Sequence, residues 1–326
     1  MANKQNPKTQ QLPLFPMERA TSEAGTSPRV QLTPNASLDQ AMGAFEKHMQ
    51  DRGFTENTQQ AFRLDLELFS DYLGPGKSIG DISTATLNAF LRWMETGRGV
   101  PCSPKTMERR ITTLKVFFGW LAEEAFIARD VAAPLIHQAV SAPLPDTLSE
   151  EQIADLLHVT RKIYQGDEDQ KPDARPHLLV TLVLNTGIKK GECVNIHLNH
   201  LDLSDPERPA VWIRYKSARR RHKERRIRLP TSWPKTLEAY LDQYPTNDYL
   251  FPWTARNLEY VLTGVAEEAG ISRLSFEILR WTCAVRDYIE EMEPDALRRK
   301  LGLSQISWYE VEHRLELLAQ RHKLRS

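Results

Sequence analysis

The chain has 326 residues, and its 43 Lys/Arg are balanced by 43 Asp/Glu, so the formal net charge is zero. That length provides for two domains with a core each; no apolar run approaches membrane-spanning length and the N-terminus lacks the apolar core of a signal peptide, so a cytoplasmic protein with no membrane partner is expected. Cys102, Cys193 and Cys283 are odd in number and far apart, and the close pair His197 and His200 has no further ligand candidates nearby, so neither a disulfide framework nor a metal site is suggested and no cofactor is expected.

Residues 1–36 are rich in Asn, Gln, Pro, Ser and Thr and read as a disordered tail. Within it Leu12-Pro13-Leu14-Phe15-Pro16 is an apolar island, read as part of an unstructured leader, with a docking peptide as the alternative. From Ser37 the pattern becomes helical. Ser37 caps a helix with Leu38, Met42, Phe45 and Met49 on one face, and Thr55 or Asn57 caps a second carrying Phe62, Leu66 and Phe69. Ser83 precedes Leu87, Phe90, Leu91 and Met94. Ser103-Pro104 opens a fourth helix through Ile111, Leu114, Phe117, Phe118 and Leu121, with proline in the first turn. These four helices predict a compact unit over 37–137.

An Ala/Pro-rich linker is expected at 138–146, and a second domain at 147–326, where Ser149 and Gln152 have capping-box spacing. Its helical majority is interrupted by one basic segment. From Arg214 to Arg228, nine of fifteen residues are Lys or Arg, opposed only by Glu224. Val211-Trp212-Ile213 and Ile227-Arg228-Leu229 flank it as strands, so the segment predicts a β-hairpin with a basic tip. In a neutral chain such concentration points to phosphate as the counter-charge, and a hairpin can enter a DNA groove; a solvated charged loop is the alternative.

The order of local motifs resembles the tyrosine recombinase/phage integrase family. Thr186-Gly187-Ile188-Lys189-Lys190-Gly191-Glu192 with Leu201-Asp202-Leu203 is similar to the helix and first strand of that family's catalytic domain. Lys216 and Lys223-Glu224-Arg225-Arg226-Ile227-Arg228-Leu229-Pro230 resemble its second and third strands. Leu279-Arg280-Trp281-Thr282-Cys283-Ala284 resembles the segment bearing the second catalytic arginine, and Lys300-Leu301-Gly302-Leu303-Ser304 the one leading to the nucleophile. Thr55-Glu56-Asn57-Thr58, Asp65-Leu66 and the stretch from Ser103 to Leu121 are similar to the core-binding domain of Xer-type members. The resemblance covers about residues 37–315. It implies a mainly α protein: a four-helix, SAM-like core-binding domain followed by an α+β catalytic domain with a small antiparallel sheet.

The family's chemistry is attack of a tyrosine on a phosphodiester, with two arginines clamping the charge that gathers on the non-bridging oxygens, and a hairpin lysine and histidines moving protons. Carried over residue by residue, the resemblance implies a depleted site. The first arginine position is Lys189, which keeps charge but loses the planar fork. The histidine position before Arg280 is Glu277, a carboxylate where a phosphate must sit. The second His/Trp position is Leu303, and the nucleophile position is Glu312. Arg280 and a hairpin lysine, Lys216 or else Lys223, survive in type. Tyr309 is the alternative nucleophile, but a three-residue offset on a helix displaces it ~4.5 Å along the axis.

DNA binding rests on other residues. The resemblance puts Thr58, Gln59 and Arg63 on one contact helix and Lys105, Thr106, Arg109, Arg110 and Lys115 on another, with one of Arg109 and Arg110 able to cover the core beside Ile111. In the second domain Lys190, Arg219, Arg220, Arg221, Lys223 and Arg225 continue the positive surface. Residues 37–137 hold eleven Lys/Arg against thirteen Asp/Glu, so the first domain must grip from one face. The expected function is double-stranded DNA binding without autonomous strand cleavage, as a site-recognition factor or a partner in a recombination complex, with a homo-oligomer or an active recombinase subunit as further partners. The alternatives are an active recombinase that uses Tyr309, and a protein-interaction module on the same scaffold.

Overall fold

The computed structural model describes residues 32–100, 102–136, 143–168 and 171–323. The apolar island at 12–16 and residues 137–142 of the expected linker lie outside the described residues. The chain divides into two compact units, with the boundary between 142 and 143.

The first unit contains α1 (Leu38–Asp51), α2 (Glu56–Leu73), α3 (Thr84–Arg92) and α4 (Pro104–Glu123). Their starts follow the capping chemistry of the sequence. Ser37, Thr55, Ser83 and Ser103 each accept a hydrogen bond from the backbone N–H three residues on, and Pro104 stands where a helix has no use for its missing N–H. A π-helical stretch, Trp93–Gly97, extends α3, a local departure that the periodicity does not announce. The helices close on an aromatic core in which Phe45 meets Phe62, Phe117 and Trp120 at centroid distances of 6.5, 5.2 and 5.2 Å.

The second unit is built around α6 (Arg175–Thr186), whose Leu178, Leu179, Val180, Leu182, Val183 and Leu184 are all buried. Beyond its first residue, only the stripe His177, Thr181 and Asn185 is polar and partly exposed, so the rest of the helix surface needs partners. α5 (Glu150–Gln165), α8 (Trp233–Gln243), α9 (Ala255–Glu268) and α10 (Phe276–Ile289) supply them. The short α7 (Lys190–Cys193) follows α6 across Gly187. A three-stranded antiparallel sheet, ordered β1 (Leu201–Asp202), β2 (Ala210–Ile213), β3 (Arg225–Arg228), packs one face on this core. Val211 pairs with Ile227 and Trp212 with Arg226; alternation buries Val211, Ile213 and Ile227 and turns Trp212, Arg226 and Arg228 outward. The expected hairpin is present. Its tip is not an open loop but a turn of 3-10 helix, Ala218–Lys223, with no buried residue.

Two last helices complete the unit, α11 (Pro294–Lys300) and α12 (Gln305–Lys323). Trp308, Leu315 and Leu318 of α12 join Ala284 and Val285 of α10 and Leu297 and Leu301 in a separate buried cluster. The final helix therefore packs on its own unit. No helix among the described residues is long and apolar enough to cross a membrane.

Candidate functional site

The site forms where α10 passes the α6–α7 turn. Gly187 closes α6 at φ +59°, and a Cβ there would stand 2.9 Å from Leu301 and 3.3 Å from the Cys283 sulfur, so both the backbone hand and the space require glycine. The turn directs the Gly187 carbonyl at α10. Arg280 donates to it from Nη1, and from Nη2 to the Leu301 carbonyl at 2.7 Å. One guanidinium thus ties the α6–α7 turn, α10 and the end of α11. Burial lowers its pKa, and Glu192 opposes that shift. Lys189, half-buried two residues after Gly187, also has a lowered pKa, through burial first and then the neighbouring charge of Arg280.

Two adjoining cavities share these groups. The smaller, about 210 Å³, is lined by Lys189, Arg280, Trp281, Ala284, Leu301, Leu303 and Val311. The larger, about 440 Å³, again has Lys189, Arg280 and Trp281, and adds Lys190, Glu259, Arg273 and Glu277. The structure therefore brings together five of the positions singled out in the sequence: Lys189, Lys190, Glu277, Arg280 and Leu303. Glu277 is exposed and forms no ion pair with Arg280 or Lys189 among the described residues. The others lie elsewhere. Lys216 is exposed, with its Nζ 3.5 Å from the Tyr249 hydroxyl. Glu312 is half-buried on α12 and lines neither cavity; Val311 takes that place. Tyr309 is 69% exposed, one residue past the buried Trp308 and so turned well away from the face of α12 that packs on α10.

A buried network that the sequence did not flag supports the site. Glu192 of α7 accepts from Nη1 and Nη2 of Arg225 at 3.1 and 2.9 Å and from the Tyr215 hydroxyl, while Arg225 Nε donates to the Lys300 carbonyl at 2.7 Å. Both roots of the basic hairpin are thereby fastened to α7. Burial alone raises the Glu192 carboxyl, but the hydrogen bonds and charge of Arg225, with the Tyr215 hydroxyl, hold it at about 2. Gly302 allows the contact: a Cβ there would be 2.7 Å from Arg225 Nη1.

The contact candidates separate by exposure. Arg219, Arg220 and Arg221 are exposed at the hairpin tip and Lys223 is half-buried; Lys190 reaches solvent while pairing with Glu259 at 2.7 Å. In the first unit Lys105 is exposed, Thr106 and Lys115 are half-buried, and Arg63 pairs with Glu67 at 2.7 Å. Thr58 bonds the Thr55 hydroxyl, and Gln59 donates to the Phe54 carbonyl. Arg109 keeps 42% of its side chain exposed while holding Asp65 at 2.8 Å. Two expected surface cations are not at the surface. Arg110 is buried, with Nε 3.3 Å from Asp65 and Nη1 against the Met94 and Cys102 sulfurs, and Arg225 is 8% exposed in its pair with Glu192. Each is needed where it lies, because removing it leaves a buried carboxylate short of a partner.

Comparison with known proteins agrees with this architecture. Residues 43–125 match the phage integrase N-terminal SAM-like domain, and residues 146–311 match the phage integrase family, a match that stops one residue short of Glu312. Tyrosine recombinase XerC of Roseiflexus castenholzii is 26% identical over 292 residues, covering 84% of this chain and 88% of that protein. Tyrosine recombinase XerD of Rhizobium meliloti is 26% identical over 292 residues, covering 83% and 91%. Among solved structures, XerH site-specific recombinase bound to palindromic difH substrate in a post-cleavage complex superposes with a TM-score of 0.67 at 19% identity, covering 87% of this chain and 82% of that one. A lambda integrase dimer bound to a COC' core site gives 0.65 at 16%, covering 84% and 77%. With a family match over half the chain, a four-helix first unit and an Arg280-centred second unit, this chain belongs to the phage integrase family of tyrosine recombinases.

Proposed function

We propose that this protein binds double-stranded DNA and does not cleave it unaided, acting in site recognition or beside a cutting subunit in a recombination complex. The observation that carries the reading is the composition of the Arg280 site. Two cations are present, while the positions for the proton-moving and attacking groups hold Glu277, Leu303 and Glu312, and Val311 rather than residue 312 lines the cavity. Phosphate attraction needs only the cations; bond cleavage needs the missing groups, whose losses typically cost several orders of magnitude in rate.

Binding is supported by the hairpin. Arg219, Arg220 and Arg221 are solvent-facing on a tip anchored at both roots through Tyr215 and Arg225 to Glu192. Anchoring limits the conformational entropy lost when the tip enters a groove. DNA recovered with the protein and sequenced reports the target and its specificity together. Enrichment of one sequence motif supports site recognition, whereas random recovery refutes it.

A further inference from the structure

The smaller cavity has a charge that its walls do not match. Only Lys189 and Arg280 among its lining residues are ionisable; Trp281, Ala284, Leu301, Leu303 and Val311 are apolar. Arg280 is fixed by the Gly187 and Leu301 carbonyls, and no carboxylate among the described residues forms an ion pair with the Lys189 ammonium: Glu192 is held by the Arg225 guanidinium and the Tyr215 hydroxyl and accepts only the backbone N–H of Lys189, at 2.9 Å. Burial first, and then the charge of Arg280, lower the Lys189 pKa, and the nearby Glu192 carboxylate offsets this only in part. An inorganic anion answers the charge and leaves the apolar side chains facing water. A neutral apolar molecule does the reverse.

We propose that this cavity binds a small amphipathic anion. The carboxylate or phosphate-monoester head meets Lys189 and Arg280, and a compact aryl or branched-alkyl body lies on Trp281, Leu303 and Val311. The larger cavity is a poorer match for the same ligand: its added groups are of mixed charge, Lys190 and Arg273 with Glu259 and Glu277, and it lacks Leu303 and Val311 for the apolar body. This assignment rests on the DNA-binding reading in one respect: the same two cations serve the DNA backbone, so an occupied cavity opposes DNA, and the anion acts as a regulator.

The test is calorimetric titration of the full chain with phenyl phosphate, benzoate and inorganic phosphate, in the wild type and in Lys189→Met and Leu303→Asp, with DNA retention measured separately without any small anion. Burial of most of a phenyl ring predicts that an aryl anion binds at least about tenfold more tightly than inorganic phosphate. Lys189→Met and Leu303→Asp each weaken that binding about tenfold or more, and the aryl anion displaces DNA from the wild type at concentrations at which inorganic phosphate does not. Preference for phenyl phosphate over benzoate identifies a monoester, and the opposite order a carboxylate. Equal affinity for aryl and inorganic anions, or affinity unchanged in both variants, overturns the proposal. Saturable aryl-anion binding by a chain that does not retain DNA contradicts the DNA reading and leaves the cavity assignment standing. DNA retention without aryl selectivity does the converse.

Discussion

Glu192 is the residue on which the second unit's polar interior turns. Its pKa is depressed from 4.5 to about 2, so its stabilising contribution is complete above about pH 4.5 and is lost as pH falls through 2. The shift corresponds to roughly 3 kcal/mol. Glu192→Gln leaves Arg225 buried without its counter-charge, and urea denaturation at pH 7 should show a loss of about 3–5 kcal/mol, narrowing toward zero near pH 2. A second prediction concerns the nucleophile position. Because Val311 and not Glu312 lines the cavity, Glu312→Tyr is expected to give no covalent protein–DNA adduct on a nicked duplex. The sequence made Arg280 and Lys189 legible through the order of motifs, and it left one of Arg109 and Arg110 to cover the core, a place Arg110 takes, but it listed Arg225 as a surface cation. The missed signal was periodicity. Arg225 shares a strand face with the buried Ile227, and Arg110 stands one helical turn before the buried Leu114. For Arg225 charge pointed outward, and in both cases the cation is buried against a carboxylate, Glu192 for Arg225 and Asp65 for Arg110.

At the level of elements, the hairpin and the α11–α12 junction carry distinct predictions. Neutralising Arg219, Arg220 and Arg221 together to alanine removes three exposed charges without touching the anchored roots. DNA affinity should fall, and the slope of log affinity against log salt should become shallower by about two to three. Gly302 sits at φ +62° and a Cβ there would stand 2.7 Å from Arg225 Nη1, so Gly302→Ala strains the backbone and displaces the Glu192 pair. Thermal unfolding should show it less stable by about 2 kcal/mol or more, whereas Gly191→Ala, which meets nothing within 4 Å, changes stability little. Helix starts were read from the sequence because Ser37, Thr55, Ser83, Ser103 and Ser149 act locally. The 3-10 turn at the hairpin tip and the π-helical end of α3 were not, since neither alters the spacing of apolar residues.

Across the whole molecule, zero net charge coexists with a strongly basic local segment, so electrostatic attraction to DNA comes from placement rather than total charge. The family and its mainly helical architecture were legible because several weak motifs occurred in a fixed order, which no single spacing supplies. Phosphate attraction without phosphodiester cleavage is the property proposed for this chain. It is tested most directly by incubating the full-length protein with a nicked duplex and dividing the sample between native and denaturing gels. A shifted, salt-sensitive complex is expected on the native gel and no covalent adduct on the denaturing one. An adduct abolished by Tyr309→Phe, or no shifted complex at low salt, contradicts it.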